Sequence, residues 1–280
     1  MSHPLLHRLR RIWAVVGSVA FVGFIGWCLL AYRASPEARR GLDSDSLVTV
    51  TAGPDRWVFS PRTAGAHRVH LVFLSGALVD PVAYAPLLHR LAAHGYPAYL
   101  LALPWRGAFG MADGEEFLDQ VRTLMDTIPG AWVVAGHSRG AKIAALLSRH
   151  PPPRQVALVL VGTTHPRDFS LAGSRLAVTK LYGTADGVAP AKTVLANAAL
   201  LPSSTHWVAI EGGNHHQFGY YGFQPGDRWA SISRAQQQEQ TLRALLDALQ
   251  AVHDAIQPPH DADTAAAAAV GTLTGRPTGR

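Results

Sequence analysis

Three residue types that cooperate in acyl transfer, a serine, an aspartate and a histidine, follow one another along the chain, each in a turn-like stretch after an apolar run. Ser138 lies in Gly136-His137-Ser138-Arg139-Gly140, between a strand-like run, Ala131 to Ala135, and a helix-like run carrying Ile143, Leu146 and Leu147. A G-x-S-x-G string in that setting makes a tight turn that lifts the hydroxyl above the sheet edge. The helix leaving the turn aims its backbone N–H groups and the positive end of its dipole at negative charge developing on a substrate. A serine hydroxyl is a weak nucleophile at neutral pH, so it needs a base, normally a histidine oriented by a carboxylate.

The segment Leu181-Tyr182-Gly183-Thr184-Ala185-Asp186 reads as a strand running into a turn that ends in the candidate acid, Asp186. The candidate base, His215, follows the turn Gly212-Gly213-Asn214 just after a strand that ends near Glu211. Asp168 and Glu211 are rival acids, Asp186 before Gly187 also suits an ordinary turn, and the adjacent His216 is a rival base; His215 is preferred because it directly follows the glycine turn. His206, His215 and His216 lack the carboxylate or cysteine spacing of a metal site, and neither a metal nor an organic cofactor is expected. Two backbone donors are needed for the oxyanion of a tetrahedral intermediate. The N–H of Arg139 supplies one, and the loop Ser75-Gly76-Ala77-Leu78 the other, most plausibly from Ala77.

Positioning these groups falls to an alternation of strands and helices. Strands are expected at Leu47 to Thr51, Trp57 to Ser60, Val69 to Leu74, Ala98 to Leu103, Trp132 to Ala135, Val156 to Val161, Leu176 to Tyr182 and Trp207 to Ile210, the first two as an antiparallel pair around Gly53-Pro54-Asp55. Asp80-Pro81 caps a helix that Gly95 ends, and helical spacing recurs in Phe117, Val121, Leu124 and Ile128 and again from Leu242 to Val252. Such alternation predicts a mostly parallel sheet covered on both faces, with ligands beyond the carboxyl ends of the strands.

Ile12 to Tyr32 carries no charge and is long enough, at about 21 residues, for the roughly 20 of a membrane-spanning helix. An uncleaved anchor fits better than a signal peptide, whose apolar region is shorter and ends in a small-x-small site. Six arginines against Glu37 in residues 1–40 account for +5 of the net charge of +6, so nothing points to a nucleic-acid surface. Cys28, the only cysteine, falls inside the span. The expected organisation is a basic segment 1–11, the span 12–32, a charged linker 33–46, a catalytic domain 47–256 and a disordered tail 257–280.

The strings LSGALVDPVAYAPLLHRLAAHGY, AGHSRG, LYGTADGVAP and GGNHHQFGYYG, in this order over residues 47 to 250, resemble the α/β-hydrolase superfamily, most of all its small, lid-poor esterases and dienelactone hydrolases. The resemblance implies an α/β-hydrolase fold, Ser138 as nucleophile, Asp186 as acid and His215 as base. Together with the span, whose single large following domain is expected outside the membrane, the reading is a bacterial single-pass membrane protein with an extracytoplasmic domain, a monomer cleaving small-molecule carboxylic esters or related acyl bonds. Acyl transfer on the same residues, or a non-catalytic binding protein of this fold, are the alternatives. The short stretch Thr163 to Arg175 leaves little room for a lid, and Trp105, Arg106, Phe109, Phe218, Tyr220 and Tyr221 lie on loops near the site, where together they could shape a shallow aromatic pocket but each singly reads rather as packing. Arg139 is left to face solvent or a substrate carboxylate.

Overall fold

A computed structural model describes residues 4–63 and 66–257. An eight-stranded sheet organises the domain: β1 (Val48–Ala52), β2 (Arg56–Pro61), β3 (Val69–Leu74), β4 (Ala98–Leu101), β5 (Ala131–His137), β6 (Gln155–Val161), β7 (Ala177–Gly183) and β8 (His206–Ile210). The strands lie in the order β1-β2-β4-β3-β5-β6-β7-β8. The pairs β1·β2 and β2·β4 are antiparallel, and every other pair is parallel. All eight runs expected from apolar patterning are strands, displaced at their ends by at most two residues.

The parallel strands read as continuous apolar runs because helices cover both faces. In β3, Val69, Leu71 and Phe73 join the core under α3 (Ala85–Ala93) and α7 (Arg234–Ile256), while Val72 and Leu74 join the core under α4 (Glu115–Thr127) and α5 (Arg139–Leu147). The same period of two divides β5 and β6. A short helix, α6 (Ala191–Ala196), follows β7. At Asp80-Pro81 the cap forms, with Asp80 accepting from the Val82 N–H at 3.1 Å, but the first turn, Pro81–Tyr84, is a 3-10 turn. Helix α7 begins with a capping box, Ser233 and Gln236 each accepting the other's backbone N–H.

Helix α1 (Pro4–Ala31) contains a stretch, Leu6–Cys28, long and apolar enough to cross a membrane, and almost all of that stretch is exposed. Its last turn is different. Cys28 and Tyr32 are buried against the domain, and the Gly222 N–H donates to the Ala31 carbonyl at 2.7 Å. Residues 33–46, read above as a linker, instead hold α2 (Pro36–Arg40), capped by Ser35 and seated on the domain through the fully buried Ala38. Charge composition conceals that docking, because the buried contacts are made by small residues, Ala34 and Ala38, while the arginines are exposed. Beyond Gln257, the expected tail lies outside the described residues.

Candidate active site

Ser138 sits between β5 and α5 with φ 54° and ψ −113°, a conformation that non-glycine residues rarely adopt. Its neighbours make room for it. A side-chain carbon on Gly136 would lie 2.5 Å from the Gly140 carbonyl carbon, and one on Gly140 would overlap the Leu74 carbonyl, so both positions need glycine for close approach rather than for an unusual φ. Strain of this kind is held by the packed elements on either side, here β5 and α5.

Asp186 and His215, from the loops after β7 and β8, meet at 2.8 Å between Oδ2 and Nδ1, and both side chains are buried. The Val188 and Ala189 N–H groups donate to the other Asp186 oxygen at 2.8 and 2.6 Å, which fixes the carboxylate. With Nδ1–H donating to Asp186, Nε2 of His215 is left as the acceptor, and it has no protein partner. Ser138 and His215 both line a cavity of about 190 Å³, together with Arg139, Lys142, Gly162, Thr163, Thr164, His165, Val188 and Ala189. A larger groove, about 730 Å³ beside Arg56 and Phe117, touches none of these three residues.

The rivals fall elsewhere. Glu211 accepts from the Thr184 hydroxyl at the exposed turn, Asp168 is exposed beside Arg167, and His206 is exposed at the start of β8. His216 pairs with Asp227 at 2.7 Å and does not line the cavity. The two adjacent histidines are thereby separated, each with its own carboxylate.

The loop Ser75 to Leu78 is organised by its neighbours. Gly76 donates its N–H to Tyr84 Oη at 3.1 Å and Leu78 donates to the Arg106 carbonyl at 2.6 Å, whereas no acceptor among the described residues takes the N–H of Ala77 or of Arg139. Arg139 opens α5, where the first N–H groups have no intrahelical partner. Its side chain faces neither open solvent nor the cavity floor alone, because Asp113 holds it at 2.8 Å and holds Lys142 at the same distance.

Beneath His215 lies His137, fully buried, with ring centroids 4.5 Å apart. Tyr84 Oη stands 2.8 Å from His137 Nδ1; since Oη already accepts from Gly76, we assign its proton to Nδ1 and the imidazole proton to Nε2. Burial first, and the neighbouring His215 second, push His137 well below its usual pKa, so it remains neutral.

Several supports have no counterpart among the sequence motifs. Asp227 accepts the N–H groups of Gly187, His215 and His216 at 3.1, 3.1 and 2.9 Å, tying the acid loop to the histidine loop. Burial works to raise its pKa, but the bonds from His216 and these N–H groups hold it below the usual carboxylate value. The first turn of α7 holds the same loop from behind: buried Gln237 bonds both the N–H and the carbonyl of Asn214, and Gln238 bonds the Gln217 carbonyl. Among the described side chains these loops form no aromatic pocket at Ser138, in keeping with the packing reading. Phe218 and Tyr221 are core residues, Tyr220 lies under Arg234, Trp105 and Arg106 project outward, and none lines the cavity. The side chain of Phe109 lies outside the described residues.

Lys180, on β7, is buried and donates to the carbonyl of His165, a residue of the cavity wall. Desolvation pulls its pKa down to about 7. The unfolded chain, with an ordinary lysine, binds more protons than the folded one between that value and the usual 10.5, so stability rises with pH across this window. Urea unfolding of the full-length chain in detergent should show a midpoint that climbs from pH 7 to pH 9.5, and Lys180→Met should flatten the climb. An equal slope in both proteins would exclude Lys180 as its source.

An alpha/beta hydrolase family model matches residues 70–239, well over half of the chain. Among solved structures, TT1662 from Thermus thermophilus is 14% identical over 72% of this chain and 98% of its own, with a TM-score of 0.53. The native esterase Est2 of the planctomycete Thermogutta terrifontis is 16% identical over 81% of this chain and 97% of its own, with a TM-score of 0.51. A putative dienelactone hydrolase from Klebsiella pneumoniae is 17% identical over 71% of this chain and 97% of its own, also with a TM-score of 0.51. No curated protein sequence matches the chain. At these identities the solved structures speak for the fold, in which the elbow after β5 and the acid and histidine loops after β7 and β8 share one edge of the sheet; by its family model, the chain belongs to the alpha/beta hydrolase family.

Proposed function

We propose that the protein is a membrane-anchored serine hydrolase that cleaves a carboxylic ester through Ser138, His215 and Asp186. The observation that carries this reading is the buried Asp186–His215 pair whose free Nε2 shares a small cavity with Ser138. In this mechanism Nε2 takes the hydroxyl proton as Oγ attacks the ester carbonyl, and the N–H groups of Ala77 and Arg139 receive the oxyanion. The imidazolium then protonates the departing alcohol, leaving an acyl-serine. Water, losing a proton to the same Nε2, releases the acid. Asp186 remains ionised throughout and holds the imidazole in the tautomer with Nδ1–H.

Helix α1 would serve as the anchor, and we place the domain outside the cytoplasmic membrane. In support, the described domain beyond α1 contains no thiol. A fluorophosphonate probe should label the full-length protein, with the adduct at Ser138 by peptide mass spectrometry. An adduct on another residue, or none, would remove the nucleophile assignment.

A further inference from the structure

Resting on the ester-hydrolase reading, a narrower substrate class follows from how α1 joins the domain. The helix does not reach the domain through a flexible tether. Its last carbonyls accept from Gly222 (Ala31, 2.7 Å) and from Asp80 (Tyr32, 2.9 Å), and the Ser35 N–H donates to the Tyr220 carbonyl at 2.8 Å. A side-chain carbon on Gly222 would lie 2.9 Å from the Ala31 carbonyl oxygen, so the contact is backbone against backbone. The Tyr32 ring meets Tyr221 edge to face. Gly222 closes the loop that carries His215, and Asp80 follows the loop that carries Ala77, so both attachments sit on loops of the candidate site.

The apolar stretch ends at Cys28, itself buried against the domain, and the first backbone bond to the domain is at Ala31. Three residues of helix span about 4.5 Å. The headgroup layer is itself about 5 to 8 Å thick on each side of the hydrocarbon. A bilayer around α1 therefore brings its headgroups up to the loops that carry the site.

Those loops are dressed for such a neighbour. Leu78, Trp105, Val188 and Trp229 are exposed, the two tryptophans at 74% and 78%. Leu78 and Trp105 are exposed on backbones with φ of 63° and 51°, conformations that cost energy for side chains of this size. Tryptophan is the residue enriched at the membrane–water boundary. The cavity beside Ser138, about 190 Å³, has room for about six water-sized groups at roughly 30 Å³ each.

We infer that the mouth of the site is held against the bilayer surface and that the substrate is a lipid-borne ester, its compact acyl group entering the cavity while its hydrocarbon part stays in the membrane. Ser138 Oγ forms the new acyl bond, the acyl–oxygen bond to the lipid breaks, and the lipid alcohol leaves with the proton from His215 and stays in the bilayer. Water then releases the short acid into solution and Ser138 regains its proton.

The test uses the full-length chain in phosphatidylcholine vesicles with two substrates, vesicle-borne 1,2-dioleoyl-3-acetylglycerol and water-soluble 4-nitrophenyl acetate. Twelve Gly/Ser residues inserted between Trp27 and Cys28 add up to about 40 Å of reach and leave the docked turn intact. The insertion should lower turnover of the acetylglycerol at least tenfold and leave 4-nitrophenyl acetate within twofold. Equal effects on both substrates, or acetylglycerol left uncut while 4-nitrophenyl acetate is cleaved, would overturn the inference and leave the esterase reading standing. No cleavage of 4-nitrophenyl acetate by the unmodified protein would instead sink the esterase reading itself. A spin label at Trp229→Cys, in a Cys28→Ser background, should collide more with oxygen than with an aqueous nickel chelate and reverse that order after the insertion. A label that is aqueous in both proteins would overturn the apposition.

Discussion

Ser138→Ala is expected to lower kcat/KM on an activated acetyl ester by about 10⁴- to 10⁶-fold and to abolish fluorophosphonate labelling, with the fold intact by circular dichroism. The size follows from the arrangement. Removing the nucleophile of such a triad removes the covalent route altogether, and only the oxyanion donors and substrate binding still act. Alanine is also the mildest change available here. The positive φ of Ser138 is held by the close passage of Gly136, Gly140 and the Leu74 carbonyl, which the substitution does not touch. A variant with near-normal turnover would show that the hydroxyl does not attack, and the acyl-serine mechanism would have to be given up.

The adjacent histidines provide the second large effect. His215→Ala should cost nearly as much as Ser138→Ala, and the double variant should be little worse than either alone, because groups acting as one unit do not add. His216→Ala should keep kcat/KM within about tenfold while lowering stability by about 1 to 3 kcal/mol, since it strips a partner from buried Asp227. Kinetics on the three variants, with urea midpoints in detergent, separate the outcomes. Loss of activity at His216 with retention at His215 would reverse the assignment of the base.

The parts of this molecule legible in its sequence are those whose physics is local. The elbow at Ser138 needs small residues two positions away on each side, and both are glycines in the string itself. The eight strands follow from apolar runs bounded by turn residues, and β3 reads through without alternation because both of its faces are covered. Asp186 and His215 stand at loop starts directly after strands, so their shared edge follows once the sheet is taken as parallel.

What was hidden depends on contacts between segments distant along the chain. Asp227 lies in an ordinary-looking Gly226-Asp227 turn, and three of its N–H partners stand 11 to 40 residues earlier. Gln237 and Gln238 read as the polar part of an amphipathic helix, yet both are buried as clamps on the histidine loop. The aromatics stay ambiguous in the sequence for the reverse reason. Loops lack a period, so nothing in the pattern tells that Phe218 and Tyr221 turn into the core while Trp105 turns out. The strand order, with β4 outside β3, is set by crossovers that apolar patterning does not encode.

Asp186, which holds the imidazole of His215, comes earlier in the chain, but the clamps on the backbone of the loop around His215 come later: Asp227, then Gln237 and Gln238 on the last described helix. A ribosome therefore releases Ser138, Asp186 and His215 before it releases the groups that clamp the loop of His215. Until α7 has been made and has docked, the growing polypeptide carries all three side chains while that loop still lacks its last clamps.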